Sequence, residues 1–142
     1  MSNLHAAMSV SASALTAERT RVEVAVSNLA NAESTRGADG RPYRRRDVVL
    51  ASAPVDSFDA ILGKASATGV KVADIVEDQS PFRRRYDPAH PDADESGFVA
   101  LPNVDVHEQM VDMMSASRAY QANLTAIGLI RDMISRALDL GK

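Results

Sequence analysis

Residues 103–142, NVDVHEQMVDMMSASRAYQANLTAIGLIRDMISRALDLGK, form a proline-free stretch in which apolar side chains recur at helical spacing. A seam at alternating intervals of four and three runs through Val106, Met110, Met113, Ser117, Tyr120, Leu124, Ile127, Arg131, Ile134 and Leu138. Eight of these ten are apolar or aromatic, which predicts one long helix. At ~1.5 Å per residue it would be roughly 50 Å long, longer than a compact domain of this size can cover.

The ends of this predicted helix carry capping residues. Asp105 and Glu108 are spaced so that their carboxylates can accept the free N–H groups of the first turn. Gly141 stands where a helix commonly ends in the left-handed conformation.

A second apolar stripe lies beside the first. Its members are Ala119, Ala122, Ala126, Ile130, Met133, Ala137 and Leu140. One seam can be buried by one partner helix, whereas two seams need two neighbours. The helix is therefore either a core helix of an ordinary bundle or one that packs on its own chain and on another subunit.

Residues 2–31 give a second helical pattern. Met8, Leu15, Val22 and Leu29 repeat every seven residues, as in a coiled coil. Three serines at 9, 11 and 13 favour helix poorly. Asn28 and Asn31 end the pattern, either as simple helix termination or as polar groups that bridge an interface.

The middle of the chain predicts strands and loops. Strands are expected at 42–50, where Pro54 ends the first one, at 69–78 and at 97–101, and residues 81–86 continue or pair with the second strand. These patterns predict an α+β chain with an N-terminal helix at 1–31, a β-rich middle at 32–104 and a C-terminal helix at 105–142.

The composition excludes several classes of function. The 142 residues include 45% hydrophobic and 4% aromatic residues, no cysteine and a net charge of −3. These values argue against a disordered chain, a disulfide or thiolate metal site, and nucleic-acid binding. The N-terminus lacks the basic start and apolar core of a cleavable Sec-type signal, and no run is long enough to span a membrane.

No motif predicts catalysis, a cofactor or a metal site. His90, Asp92, Asp94 and Glu95 cluster in one loop, but their spacing matches no zinc or EF-hand pattern, which favours a solvated acidic turn. Phosphate-binding glycine loops and nucleophile motifs are absent from the sequence. The arginine runs 44–46 and 83–85 are interpreted as strand-surface side chains that pair with acidic residues of a neighbouring subunit.

Several segments resemble the axial proteins of bacterial flagella. Residues 27–35, SNLANAEST, resemble the N-terminal signature of flagellar rod and hook proteins, and residues 42–45, PYRR, resemble its continuation in rod proteins. The segments YDPAHPDAD (86–94), GFVALPNV (97–104), EQMVDM (108–113) and SASRAYQAN (115–123) are similar to proximal-rod members of this family. The resemblance covers nearly the whole chain.

This resemblance implies a structural role. In the family the two terminal helices pair as an antiparallel coiled coil that lines the export channel, and the β-rich middle faces outward. The rod acts as a drive shaft that transmits torque. The resemblance also implies export by the flagellar type III system without a cleaved signal and assembly in the periplasm. The implied partners are copies of the chain, FlgB-, FlgF- and FliE-type rod subunits and the export apparatus, with no cofactor.

Two further classes stay open at this stage. One is a non-catalytic export adaptor or chaperone built on the same long helices, and the other is an enzyme with an unrecognised site. For an axial subunit, we expect an intramolecular helix seam formed by Leu4, Met8, Leu15, Val22 and Leu29 against Met113, Tyr120, Leu124, Ile127 and Ile134. Polar contacts that fix subunit register are expected at Asn28, Asn31, Tyr120, Gln121 and Asn123.

Overall fold

A computed structural model describes residues 2–37, 39–55 and 67–139. Their elements, in chain order, are α1 (Ser2–Ala30), β1 (Arg46–Pro54), β2 (Thr68–Glu77), β3 (Arg83–Tyr86), β4 (Phe98–Leu101) and α2 (Val106–Asp139). This arrangement confirms the predicted α+β class with two long terminal helices. The expected helix-ending Gly141 and the stripe residue Leu140 lie outside the described residues.

The two helices pack against each other in opposite directions. Asn28, near the end of α1, bonds to Gln109, near the start of α2. Val22, earlier in α1, lines one groove with Ser117 and Tyr120, further along α2. Moving back along α1 therefore means moving forward along α2, which confirms the predicted antiparallel pair.

The start of α2 is held by its predicted cap. Asp105 Oδ1 accepts the backbone N–H groups of His107 at 2.8 Å and of Glu108 at 3.3 Å. The Glu108 carboxylate, expected to cap as well, instead accepts a hydrogen bond from Arg45 Nη1 at 2.9 Å. Both kinds of bond are charge-assisted, but the guanidinium also carries a full positive charge, so the carboxylate forms an ion pair with Arg45.

Strands β1 and β2 form an antiparallel hairpin that packs on α1. Arg46 lies opposite Glu77 and Pro54 lies opposite Thr68, with one irregularity between Val49 and Leu50. The first strand thus lies four residues later than predicted and includes Pro54, because a proline is tolerated at the end of a two-stranded ladder.

The hairpin docks on α1 at Ser13, one of the serines that favour helix poorly. Ser13 Oγ donates to the Val10 carbonyl at 2.7 Å and accepts the Val70 N–H at 3.1 Å. Gly69 is buried at this contact, and a Cβ there would lie 2.6 Å from Ser13 Oγ. The serine and the glycine together let a strand approach the helix backbone closely.

Strands β3 and β4 form a second antiparallel hairpin, with Arg83 opposite Leu101 and Tyr86 opposite Phe98. The prediction that residues 81–86 continue or pair with the second strand is therefore wrong. Strand β2 ends just before a turn in which Asp78 Oδ1 accepts the Ser80 N–H. Pro81 has no N–H group, so it cannot extend the hydrogen-bond ladder of β2. Strand β4 and the residues that follow it supply four buried core side chains, namely Val99, Leu101, Pro102 and Val104.

The close contact at Gly69 gives a first prediction. Gly69→Ala is expected to lower the free energy of unfolding by about 1–3 kcal/mol, since the new methyl group overlaps Ser13 Oγ and a Val55 methyl. Urea unfolding followed by circular dichroism measures this change. Gly128→Ala on α2 is the matched control, because nothing lies within 4 Å of its added Cβ. It should stabilise by up to about 1 kcal/mol, and equal effects at both sites would contradict the proposed contact.

Candidate functional site

The side chain of Asn28 joins α1 to three other parts of the chain. It is 1% exposed. Its Nδ2 donates to the Arg46 carbonyl and to Gln109 Oε1, both at 2.8 Å. Its Oδ1 accepts the Arg46 N–H and the Tyr43 hydroxyl, both at 2.9 Å. Both donors and both acceptors are thus used, and the amide holds α1, the start of β1 and the start of α2 together.

The sequence left two roles open for Asn28, helix termination or a polar contact between subunits. In the structure every polar atom of its amide is bonded within its own chain. The register that it fixes is that of the chain's own elements. Asn31, the second asparagine of the motif, donates to the Ser27 carbonyl at 2.9 Å, as in simple helix termination.

The other residues expected to set subunit register lie on α2. Tyr120 is half-buried in the groove beside Val22. Asn123 donates to the Ala119 carbonyl of its own helix at 2.9 Å. Gln121 is exposed.

The less exposed stripe of α2 is rotated slightly from the predicted seam, since half of its members are shared with that seam and the other half lie one residue earlier. It runs through Gln109, Met113, Ala116, Tyr120, Asn123, Ile127, Ile130 and Ile134. Nine of the ten expected intramolecular seam residues are half-buried, namely Leu4, Met8, Leu15, Val22, Leu29, Met113, Tyr120, Ile127 and Ile134. Leu124 departs from the expectation, since it is 42% exposed.

Two polar residues explain the rotation. Gln109 is 2% exposed and Asn123 is half-buried, so both belong to the stripe although an apolar pattern passes over them. Gln109 can be buried because it accepts a hydrogen bond from Asn28. The sequence contained one sign of this burial, since Gln109 lies four residues before Met113 and therefore on the same face of the helix.

A charged cluster ties the first hairpin to α2. Arg45 lies within 3.0 Å of Asp47, 3.3 Å of Asp78 and 2.9 Å of Glu108. Burial opposes the charge of Arg45, but the three carboxylates outweigh it and raise the pKa of the guanidinium above its ordinary value. Asn103, which the sequence did not single out as a site, accepts the Arg45 N–H at 2.9 Å and donates to the Asp78 carbonyl at 3.1 Å.

The arginine runs therefore pair largely within their own chain. Arg84 bonds to Asp94 at 2.9 Å, and Arg46 lies 3.7 Å from Glu77. The guanidinium of Arg44 stacks over the Phe82 ring at 4.4 Å. Their expected pairing with acidic residues of a neighbouring subunit is not needed to satisfy these charges.

The acidic loop after β3 is a structural connection. The carboxylate of Asp92 accepts the Thr35 hydroxyl at 2.9 Å and pairs with Arg36 at 3.1 Å, which links this loop to the segment after α1. His90 Nδ1 accepts the Asp92 N–H at 3.1 Å. No group of three or more potential metal ligands occurs among residues 2–37, 39–55 and 67–139, and no helix in these ranges is long and apolar enough to cross a membrane.

Comparisons with known proteins match both ends of the chain. A family model described as "Flagella basal body rod protein" matches residues 8–38, and one described as "Flagellar basal body rod FlgEFG protein C-terminal" matches residues 95–140. The protein named flagellar basal-body rod protein FlgC of Escherichia coli O6:H1 is 47% identical over 133 residues, which cover 94% of each chain. The FlgC protein of Bacillus subtilis is 46% identical over 145 residues, covering 95% of this chain and 96% of its own.

The chain belongs to the FlgC family of flagellar basal-body rod proteins. Membership confirms the resemblance found in the sequence and does not favour the export-adaptor alternative. The hydrogen bond between Asn28 and Gln109 joins the two segments that match the rod family models. In this FlgC-family chain, the candidate functional site is thus the helix pair itself, locked at one end by a buried amide pair.

The buried amide gives a second prediction. Asn28→Ala should lower the free energy of unfolding by about 2–4 kcal/mol, since several buried polar partners lose their hydrogen bonds. Denaturant unfolding of the purified chain measures the loss. Asn31→Ala is the control, and it should cost less than about 1 kcal/mol because, among the described residues, its amide bonds to the helix end alone. Similar losses for the two variants would refute the role given to Asn28.

Three aspartates predict how stability depends on pH. The pKa of Asp78 lies below its usual value because the Ser80 side chain and N–H donate to it. The pKa of Asp94 is lowered chiefly by the Phe98 N–H, and that of Asp105 chiefly by the Glu108 N–H. Because these folded-state values lie below the unfolded value, the stabilisation is complete above about pH 4 and is lost as pH falls further.

The corresponding experiment is urea unfolding between pH 7 and pH 3. We expect little change in the contribution of these groups down to about pH 5 and a decline below about pH 4. Asp105→Asn should make that decline shallower, since the amide keeps an acceptor oxygen but no longer titrates. Asp132→Asn, at an exposed position of α2, is the comparison variant because it removes one carboxylate elsewhere on the same helix. An identical profile for Asp105→Asn and the parent chain would exclude Asp105 as a contributor.

Proposed function

We propose that this chain is a structural, non-catalytic subunit of the proximal rod of the flagellar basal body. In this proposal it assembles with copies of itself and with FlgB-, FlgF- and FliE-type subunits into the drive-shaft tube around the export channel. The observation that carries the proposal is that α2 is covered by one neighbour only. Among the described elements, α1 alone makes extensive contact with α2.

The outer face of α2 is rich in exposed apolar side chains. Four large ones are between 52% and 65% exposed, namely Val111, Met114, Leu129 and Met133. A face of this kind along a long helix marks a surface that another protein covers. The family to which the chain belongs consists of rod proteins, so the covering element is proposed to be a helix of an adjacent axial subunit.

The position of α1 supports the same arrangement. It contacts α2 on one side and the β1–β2 hairpin on another, so its surface is largely used within the chain. The free apolar face thus belongs mainly to α2. In the proposed rod this face meets a different surface of the next subunit, and a contact of that kind that does not close into a ring extends into a helical tube.

In the proposed rod the subunit has a defined orientation and a defined route of export. Segments 1–31 and 105–142 form the axial part, and segment 32–104 faces outward toward neighbouring subunits. The chain is exported by the flagellar type III apparatus without a cleaved signal and joins the rod in the periplasm. Close packing of the axial helices supplies the torsional stiffness that a drive shaft requires, since packed interiors resist deformation.

A substitution on the outer face tests this function. Leu129 is 61% exposed, so Leu129→Asp should change the stability of the isolated chain by no more than about 0.5 kcal/mol. In a strain that lacks the chromosomal gene, the variant should fail to restore swimming, because assembly would bury an unpaired carboxylate. Motility in soft agar and the presence of the chain in isolated basal bodies are the two measurements.

Gln79→Asp is the matched control, since it adds the same charge at an exposed loop position. It should support swimming and appear in basal bodies at the parental level. Normal motility and incorporation of Leu129→Asp would show that the outer face of α2 is not an assembly surface.

A further inference from the structure

A chemically reactive dipeptide lies in the connection between α1 and β1. Asp39 is followed by Gly40, and the sequence contains no other aspartate or asparagine that is followed by glycine. Glycine has no side chain to shield its amide nitrogen, so this nitrogen can approach the preceding carboxyl group. Both residues are exposed in the structure, so the dipeptide is accessible to water in the folded chain.

A hydrogen bond within the turn holds the Asp39 side chain in a direction that favours a reaction with Gly40. Asp39 Oδ1 accepts the backbone N–H of Arg41 at 3.2 Å. This bond folds the carboxyl group forward along the chain, toward the peptide group that joins Asp39 to Gly40. The Arg41 N–H also draws electron density from the carboxyl group, which makes its carbon atom a better target for a nucleophile.

The surroundings of Gly40 leave room for this reaction. Gly40 has a positive φ of 76°, and no atom lies within 4 Å of the position that a Cβ would take. The Gly40 N–H donates to the Gly37 carbonyl at 3.0 Å, so this bond has to open before the nitrogen can react. It lies at an exposed turn outside the helices and strands, where single hydrogen bonds open most easily.

We propose that Asp39 is a site of spontaneous conversion to isoaspartate. The Gly40 nitrogen attacks Cγ of the protonated carboxyl group and bonds to it. The carboxyl hydroxyl group leaves together with the amide proton as water, which gives a five-membered succinimide ring. Water then adds to one of the two ring carbonyls. Addition at the side-chain carbonyl restores aspartate, whereas addition at the main-chain carbonyl routes the backbone through the side chain as isoaspartate.

Isoaspartate lengthens the backbone of this turn, because it adds one methylene group to the main chain, about 1.5 Å of extra path. The turn is closed by a bond from the Gly37 N–H to the Arg41 carbonyl at 2.7 Å, and the longer path displaces these two groups from each other. The turn leads from α1 to Tyr43, whose hydroxyl donates to the buried amide of Asn28. The reaction is a property of the chain itself and is independent of the proposed assembly.

Ageing of the purified, folded chain near neutral pH tests the site. Trypsin should then release residues 37–44 as one peptide, since the bond between Arg41 and Pro42 resists cleavage. The isoaspartyl form has the same mass as the parent peptide, but a protein isoaspartate methyltransferase labels it with a tritiated methyl group. Label should accumulate with time in peptide 37–44. Peptide 132–136 is the internal control and should stay unlabelled, because the N–H group after Asp132 belongs to the helix.

Asp39→Glu is the matched variant. It keeps the carboxylate, but a six-membered imide closes much more slowly than a five-membered one, so labelling of peptide 37–44 should disappear. Asp39→Asn should be labelled faster than the parent chain, because ammonia is lost more readily than water as the same ring forms. Equal labelling of the parent chain and of Asp39→Glu would overturn the assignment.

A synthetic peptide of residues 37–44 separates the reactivity of the dipeptide from the effect of the fold. We expect the folded chain to form isoaspartate at a rate within about tenfold of the peptide, since an exposed turn opens at little cost in free energy. A slower rate would show that the turn protects Asp39, and the proposal would be wrong. The aged parent chain should also unfold at a lower urea concentration than the aged Asp39→Glu variant, as a lengthened turn requires.

Discussion

A buried primary amide with all of its hydrogen-bonding capacity in use is the constraint on which this structure depends. Asn28 has two donors and two acceptors, and each meets a fixed partner on β1, on the segment before it or on α2. Apolar helix seams tolerate sliding by a turn, because one methyl group packs much like another. The amide does not tolerate it, since any shift would leave buried polar groups unpaired. Close packing of small side chains such as Ala25 and Ala116 follows from the register that Asn28 sets.

Much of the architecture could be predicted from the sequence because it rests on local signals. Helical spacing marked both long helices, and the Asp105 cap marked the start of α2. Alternation of apolar and polar residues marked β2. What the sequence could not show was the identity of each strand's partner. The pairing of β3 with β4 depends on a turn and a proline, whose effect on the chain direction is clear only in three dimensions.

The candidate site was harder to predict for a related reason. A seam predicted from hydrophobicity includes only apolar positions. It therefore contained Met110 and Leu124 and left out the polar residues Gln109 and Asn123, which belong to the less exposed stripe. Burial of Gln109 depends on Asn28, which lies 81 residues earlier, and no local rule connects the two. The arginine runs presented the same difficulty, since the partners of Arg45 come from three separate segments.

The same separation along the chain has a consequence for the order in which the molecule folds. The bonds from Asn28 to Arg46 span 18 residues and can close early, once α1 and the first hairpin exist. The bond to Gln109 closes a far longer loop, and contacts of high sequence separation form slowly. We expect α2 to be the last element to dock, so a chain that emerges N-terminus first stays open until its final quarter arrives.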